Sequence, residues 1–286
     1  MDGTEQPNRV YLPDSSGRKP LLVFLHSWSH GFEQDNTRWL ELAKQRGWAF
    51  LQPNFRGKNN RPEACGSELA RQDILDAIKY VLAKTEIDRS RIYLAGTSGG
   101  GHMSMLMASY YPDKFSAVSS WVGISDLEKW HATTGLKPET RHYARELENC
   151  IGGVPGTGDA VKYELKMRSP VWHLAKAADV PLDINTGIHD GHTGSVPVSQ
   201  SIEAFNVILR AKHKPEIPRD EIEKWNAADA GEKSHHAVVD DLSYSRKVLF
   251  RSQVNHSRLT IFEGAHEDLP AAGVAFLEAI QRATQW

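Results

Sequence analysis

The chain has 286 residues, 40% of them hydrophobic and 24% charged, which is enough to bury a full core and too ordinary for a disordered or fibrous protein. Its 34 basic and 36 acidic side chains are interspersed and leave a formal net charge of −2, so there is no basic field to hold a phosphate backbone and no nucleic-acid partner is expected. The longest apolar runs, at 21–25 and 92–95, fall far short of the roughly 20 residues that cross a bilayer, so no membrane partner is expected either. The opening residues "MDGTEQPNRVYLP" lack a basic segment followed by an apolar one, and predict no secretory signal. Cys65 and Cys150 are the two cysteines, too few for a disulfide framework or a zinc site; they read as separate reduced thiols, with a single bridge between them as the alternative.

In chain order, "PLLVFLHSW" is a short apolar run that predicts a buried strand. "NTRWLELAKQRG" (36–47) follows as a helix, with Asn36 at the N-cap, Trp39, Leu40 and Ala43 at helical spacing, and a closing glycine. "WAFLQPN" is the next strand. Beyond a glycine- and asparagine-rich loop, Leu69, Ile74, Leu75, Ile78, Val81 and Leu82 lie along one helical face. "RIYLAG" is a strand, the stretch from "GGGHMSMLMASYYP" a helix stopped by Pro112, and "FSAVSSWVG" a strand again. The last third repeats the scheme: strand "PLDINTG", helix Val198 to Ala211, strand "RLTIFEG", helix Ala271 to Ala283. Strands alternating with helices predict an α/β fold with a mainly parallel sheet covered on both faces, as one domain over residues 1–286. Residues 125–178 interrupt the alternation and read as a small cap insertion. Residues 213–245, charged and broken by prolines, read as a surface insertion or a short helical excursion.

Gly96, Thr97, Ser98, Gly99 and Gly100 match G-x-S-x-G between a predicted strand and a predicted helix, the context in which a serine is pushed out of a sharp turn as a nucleophile. A serine hydroxyl needs a base and the base needs an orienting carboxylate, here sought downstream in the order serine, acid, histidine. Asp190 lies just past the strand "PLDIN" and His266 just past "RLTIF", both at carboxyl ends of strands where an open parallel sheet gathers its ligands. Asp126, after the preceding strand, is the competing acid; His189 and His192 read as loop residues rather than metal ligands. The backbone N–H groups of Gly99 and of Trp28, in the loop "LHSWSHG", are the candidate oxyanion donors. Trp28, Trp121, Trp130 and Trp172 are candidate pocket aromatics, each balanced against ordinary core packing.

With these residues in place, the chain resembles the α/β-hydrolase superfamily and, within it, the prolyl-oligopeptidase-like branch that includes acetyl xylan esterase-like serine esterases. The likeness runs from Leu21 to Gln281 and rests on "DILDAIKYVLAKTEIDRSRIYLAGTSGGGHMS", "CIGGVP", "RSP", "TGIHDGHTGSVPVSQS" and "EGAHE". It implies the α/β-hydrolase fold, a Ser98, Asp190 and His266 triad, no cofactor and no metal. Two departures stand out. His26-Ser27 replaces the usual His-Gly after the first core strand, and extra residues separate Asp190 from Val196. A first core strand at Leu21 leaves no room within the chain for a preceding propeller. The resemblance and the tryptophans together point to a serine carboxylic-ester hydrolase acting through an acyl-enzyme on a small-molecule or oligosaccharide ester, an acetyl or feruloyl group linked to carbohydrate. The alternatives are a serine aminopeptidase or oligopeptidase of the same fold and, against an intact triad, a non-catalytic binding protein.

Overall fold

The computed structural model describes residues 2–227 and 239–286. Its frame is one sheet of eight strands among the described residues: β1 (Asn8–Tyr11), β2 (Lys19–Leu25), β3 (Ala49–Pro53), β4 (Ile87–Thr97), β5 (Ala117–Trp121), β6 (Leu182–Gly187), β7 (Val248–Val254) and β8 (Ser257–Phe262). They lie in the order β1-β3-β2-β4-β5-β6-β8-β7. The six inner strands are parallel, and β1 and β7 close the two edges antiparallel.

The apolar runs read as strands sit where both faces are covered. Every residue of β2 is buried, and its alternation divides the core in two. Leu21, Val23 and Leu25 face one layer, with Ile74 and Ile78 of α2 (Glu68–Lys84), Met103 of α3 (Gly99–Tyr110) and Phe205 of α7 (Val198–Ala211). Leu22 and Phe24 face the other layer, with Trp39 of α1 (Thr37–Gln45) and Leu277 of α9 (Pro270–Glu278). A period of two in the strand and of 3.6 in the helices is thus satisfied on both sides of one sheet.

Between β5 and β6, in the segment read as a cap, lie α4 (Leu127–Leu136), α5 (Arg141–Ile151), α6 (Asp159–Arg168) and two 3-10 turns, Pro170–Trp172 and Leu174–Ala177. The apolar sides of the cap helices enclose a third cluster that includes Trp28, Trp130, Leu147, Cys65 and Cys150. Both cysteines are free thiols, and burial together with a contact to Cys65 pushes the Cys150 thiol far up.

Four elements depart from the sequence reading. The edge strands β1 and β7 escaped it because their residues are mostly half exposed and, in β7, Arg251, Ser252 and Gln253 break the apolar run. Asn36 does not cap α1 with its side chain, because its amide donates to Gln52 Oε1 at 3.1 Å instead. The last helix ends at Glu278, five residues short of the expected end. Beyond it the chain lies along the end of the sheet, where Arg282 N–H bonds the Ser90 carbonyl. Within 213–245, α8 (Arg219–Ala227) supplies the helical excursion, yet Ile217, Trp225 and Tyr244 are buried, so this charged stretch contributes to the core; its residues 228–238 lie outside the described residues. Among the described residues no helix is long and apolar enough to cross a membrane.

Candidate active site

Three loops at the carboxyl ends of the central strands carry the candidate chemistry. Ser98 stands alone between β4 and α3 at φ 59°, ψ −117°, a conformation that costs a non-glycine residue roughly 1–3 kcal/mol. The surrounding structure holds it there. Its N–H donates to the Trp121 carbonyl at 2.8 Å, and its own carbonyl accepts from His102 N–H at 2.9 Å. The close quarters explain the neighbouring glycines. A β-carbon on Gly100 would lie 2.1 Å from the Leu25 carbonyl oxygen, and one on Gly99 would lie 2.4 Å from the Trp28 nitrogen.

That last approach brings the Gly99 and Trp28 backbones together beside Ser98. Among the described residues no group accepts from the N–H of either. Two amides without an acceptor thus lie beside the serine, one of them on the first turn of a helix whose dipole is positive at this end.

Asp190 follows β6 and His266 follows β8, as the sequence reading expected. His266 Nδ1 lies 2.7 Å from Asp190 Oδ2. A carboxylate only accepts, so the bond places the imidazole proton on Nδ1 and leaves Nε2 free to act as a base. The Asp190 carboxylate is fully enclosed, and its second oxygen accepts from the N–H groups of Gly191 at 2.9 Å and Val196 at 3.0 Å. The extra residues between Asp190 and Val196 therefore wrap back onto the carboxylate and fix it. His266 keeps 28% of its side chain exposed, which leaves it reachable by a substrate. Asp126, the competing acid, is engaged elsewhere: it caps α4, accepting from Glu128 and Lys129 N–H. His189 bonds Glu263 at 2.7 Å, and His192 lies on the rim of a separate groove.

Several residues not singled out in the sequence tie these loops together. Ser27 N–H donates to Gln34 Oε1 at 2.6 Å and its hydroxyl donates to the Thr97 carbonyl at 3.1 Å, so the serine that replaces the usual glycine links the Trp28 loop to the serine turn. His26 is buried and stacked on Phe55, and burial lowers its pKa to about 4, so it stays neutral near pH 7. Glu146 of α5 accepts from the Trp28 indole at 2.9 Å and fastens the cap to the same loop. Asp268, two residues past His266, accepts from the Thr97 hydroxyl and from the Trp39 indole through one carboxylate oxygen. Thr97, which precedes Ser98, is thereby pinned to the loop of His266. No spacing rule in the sequence marks such a contact across 171 positions.

This clamp has a testable consequence. Asp268→Ala should lower kcat for an ester by about tenfold to a hundredfold with little change in KM, because a small misplacement of base against nucleophile is felt in the chemical step. Asp268→Asn keeps an acceptor oxygen for both donors and should stay near wild type. Equal losses in both variants would show that the charge matters, rather than the tether.

The candidate pocket aromatics divide. Trp121 is fully buried in the core layer of Phe262 and Tyr244 and donates to Ser119 Oγ, which corrects the expectation that it faces substrate. Trp28 and Trp130 meet edge to face at 4.7 Å and are also enclosed among apolar side chains, so neither indole forms a pocket wall. Trp172 is exposed, in a groove that Asp190, Gly191 and His192 also line and His266 does not.

Residues 33–218 match the model of the prolyl oligopeptidase family. The chain is 33% identical over 134 residues to feruloyl esterase B of Neurospora crassa, covering 41% of this chain and 43% of the relative. It is 40% identical over 126 residues to an acetylxylan esterase of Coprinopsis cinerea, covering 40% and 34%. With acylamino-acid-releasing enzyme 1 of Oryza sativa it shares 26% identity over 200 residues, 66% of this chain and 25% of that one. It therefore spans well under half the length of these relatives. Among solved structures, the acylaminoacyl peptidase of Pyrococcus horikoshii superposes with a TM-score of 0.68 at 17% identity, covering 99% of this chain and 41% of that chain, and shares the fold.

Proposed function

The chain belongs to the prolyl oligopeptidase family, and from that footing we propose that it is a serine hydrolase that cleaves carboxylic esters through an acyl-enzyme. The observation that carries the reading is the bond from His266 Nδ1 to Asp190 Oδ2, which leaves a bare Nε2 on a loop tethered to the turn of Ser98. In this mechanism Ser98 Oγ attacks the ester carbonyl and His266 Nε2 takes its proton. The amides of Trp28 and Gly99 hold the oxyanion, and the tetrahedral intermediate collapses as His266 returns the proton to the leaving alcohol. Water, deprotonated by the same imidazole, then attacks the acyl-serine and releases the acid. Asp190 holds the tautomer and stabilises the imidazolium that forms twice per turnover.

The proposed substrate is an acetyl or feruloyl ester of a carbohydrate. Two esterase relatives, at 33% and 40% identity, support this choice over an amide. A peptidase reading has its own support in the longer alignment to the acylamino-acid-releasing enzyme. Hydrolysis of p-nitrophenyl acetate, butyrate, octanoate and ferulate, alongside alanyl and prolyl p-nitroanilides, separates the two. The expected result is turnover of the acetyl or feruloyl ester with the anilides untouched. Anilide cleavage that outpaces every ester would replace the esterase reading with the peptidase one.

A further inference from the structure

Six of the tryptophans are 6% exposed or less, whereas Trp172 is 60% exposed. It stands at the end of the 3-10 turn Pro170–Trp172 on the edge of a groove bounded by α4, α7, α8 and the turn Asp190–His192. The groove has a volume of about 1450 Å³, larger than the roughly 300–1,000 Å³ of a typical small-molecule pocket, and it is open along its length. One of its walls is the loop of Asp190, whose buried carboxylate holds His266. Ser98 and His266 do not line it.

The charge of the groove narrows the ligand. Among the described residues, the lysine and the two arginines that line it each face a carboxylate: Lys129 bonds Glu203 at 2.6 Å, Arg210 bonds Glu216 at 2.6 Å and Arg219 bonds Glu223 at 3.0 Å. Along this lining, phosphate, sulfate or uronate groups would meet cations already paired with carboxylates; the lysine beside the indole, Lys166, lies over the Trp172 ring. The remaining chemistry is a flat indole beside the exposed side chains of Glu128 and His192, which suits a ligand with an apolar face and hydroxyls. Lys166 lies 5.5 Å over the Trp172 ring, a contact that steadies the indole in its exposed position.

We propose that this groove is a binding site for a neutral oligosaccharide, with Trp172 as the stacking platform, separate from Ser98 and His266, which do not line it. The site extends the esterase reading by giving a carbohydrate ester a second point of attachment, one loop away from the base. A polysaccharide held there would stay on the protein while its substituents are presented to the serine.

The test uses native gels cast with neutral arabinoxylan, with polygalacturonate as the anionic control, and the Ser98→Ala protein so that no turnover intervenes. Arabinoxylan should retard this protein and polygalacturonate should not. Adding Trp172→Ala should weaken the binding by about fivefold to tenfold, and Trp172→Phe should retain most of it. In the otherwise wild-type protein, Trp172→Ala should leave kcat/KM for p-nitrophenyl acetate unchanged, which also shows that the variant folds. Retardation independent of Trp172, retardation by polygalacturonate alone, or no retardation by arabinoxylan would each overturn the site. Because binding is read without hydrolysis, failure of the groove and failure of the esterase reading give different results.

Discussion

Ser98→Ala should reduce ester turnover by about 10,000-fold or more while leaving the fold intact. The size of the effect follows from what the side chain does: without the hydroxyl no acyl-serine forms, and the residual rate is what the two amides and substrate binding give to direct attack by water. The fold should tolerate the change because no hydrogen bond described for Ser98 uses its hydroxyl; its N–H and carbonyl make the contacts to Trp121 and His102. Alanine still has to sit at φ 59°, where serine already sits, so the strain is not increased. Steady-state kinetics on p-nitrophenyl acetate with a thermal melt of the same sample checks both halves. A variant that keeps a tenth of the wild-type rate would exclude Ser98 as the nucleophile.

Asp190→Asn should cost nearly as much, about 10,000-fold in kcat, again with little loss of stability. Asp190 Oδ1 accepts from Gly191 and Val196 N–H, and an asparagine can keep both bonds by placing its carbonyl oxygen there. The amide nitrogen then faces His266 Nδ1 as a donor, where the carboxylate was an acceptor. The imidazole must switch tautomer, its proton moves to Nε2, and the nitrogen meant to take the Ser98 proton is occupied. The charge that stabilises the imidazolium is lost as well. The expected signature is a collapse of kcat with KM within about threefold of wild type, because the substrate-facing surface is unchanged. A variant with kcat near wild type would show that another group orients the base, and Asp126 would return as the candidate.

The central parallel strands and the helices beside them were legible in the sequence because burial on both sides of a sheet leaves a dense apolar signal, as in β2 and β6. The serine turn was legible for a different reason: close backbone approach permits only glycine at Gly99 and Gly100, so the geometry is written into residue type. Asp190 and His266 were placed by their position after strands, and their 2.7 Å bond needs no further signal. What escaped is of two kinds. Edge strands such as β7 carry mixed residues because one side meets water, and their pattern fades into that of a loop. The tethers made by Gln34, Glu146 and Asp268 join residues far apart in sequence through single hydrogen bonds, and an isolated polar residue looks the same whether it bonds water or a distant backbone. The tryptophans illustrate the limit most clearly. Four were equal candidates for the pocket, and only the packing reveals that Trp28, Trp121 and Trp130 are enclosed while Trp172 faces solvent in a separate groove.

The claim on which the account rests is that Ser98 is a nucleophile activated by His266. Incubation with a fluorophosphonate ester, followed by proteolysis and mass spectrometry, reads this directly. The account expects one phosphonyl group per chain, on the peptide that contains Ser98, with loss of ester turnover in step with labelling and no labelling in Ser98→Ala or in His266→Ala. Phosphonylation of a different residue, or full ester turnover in a protein that Ser98 leaves unlabelled, would contradict it.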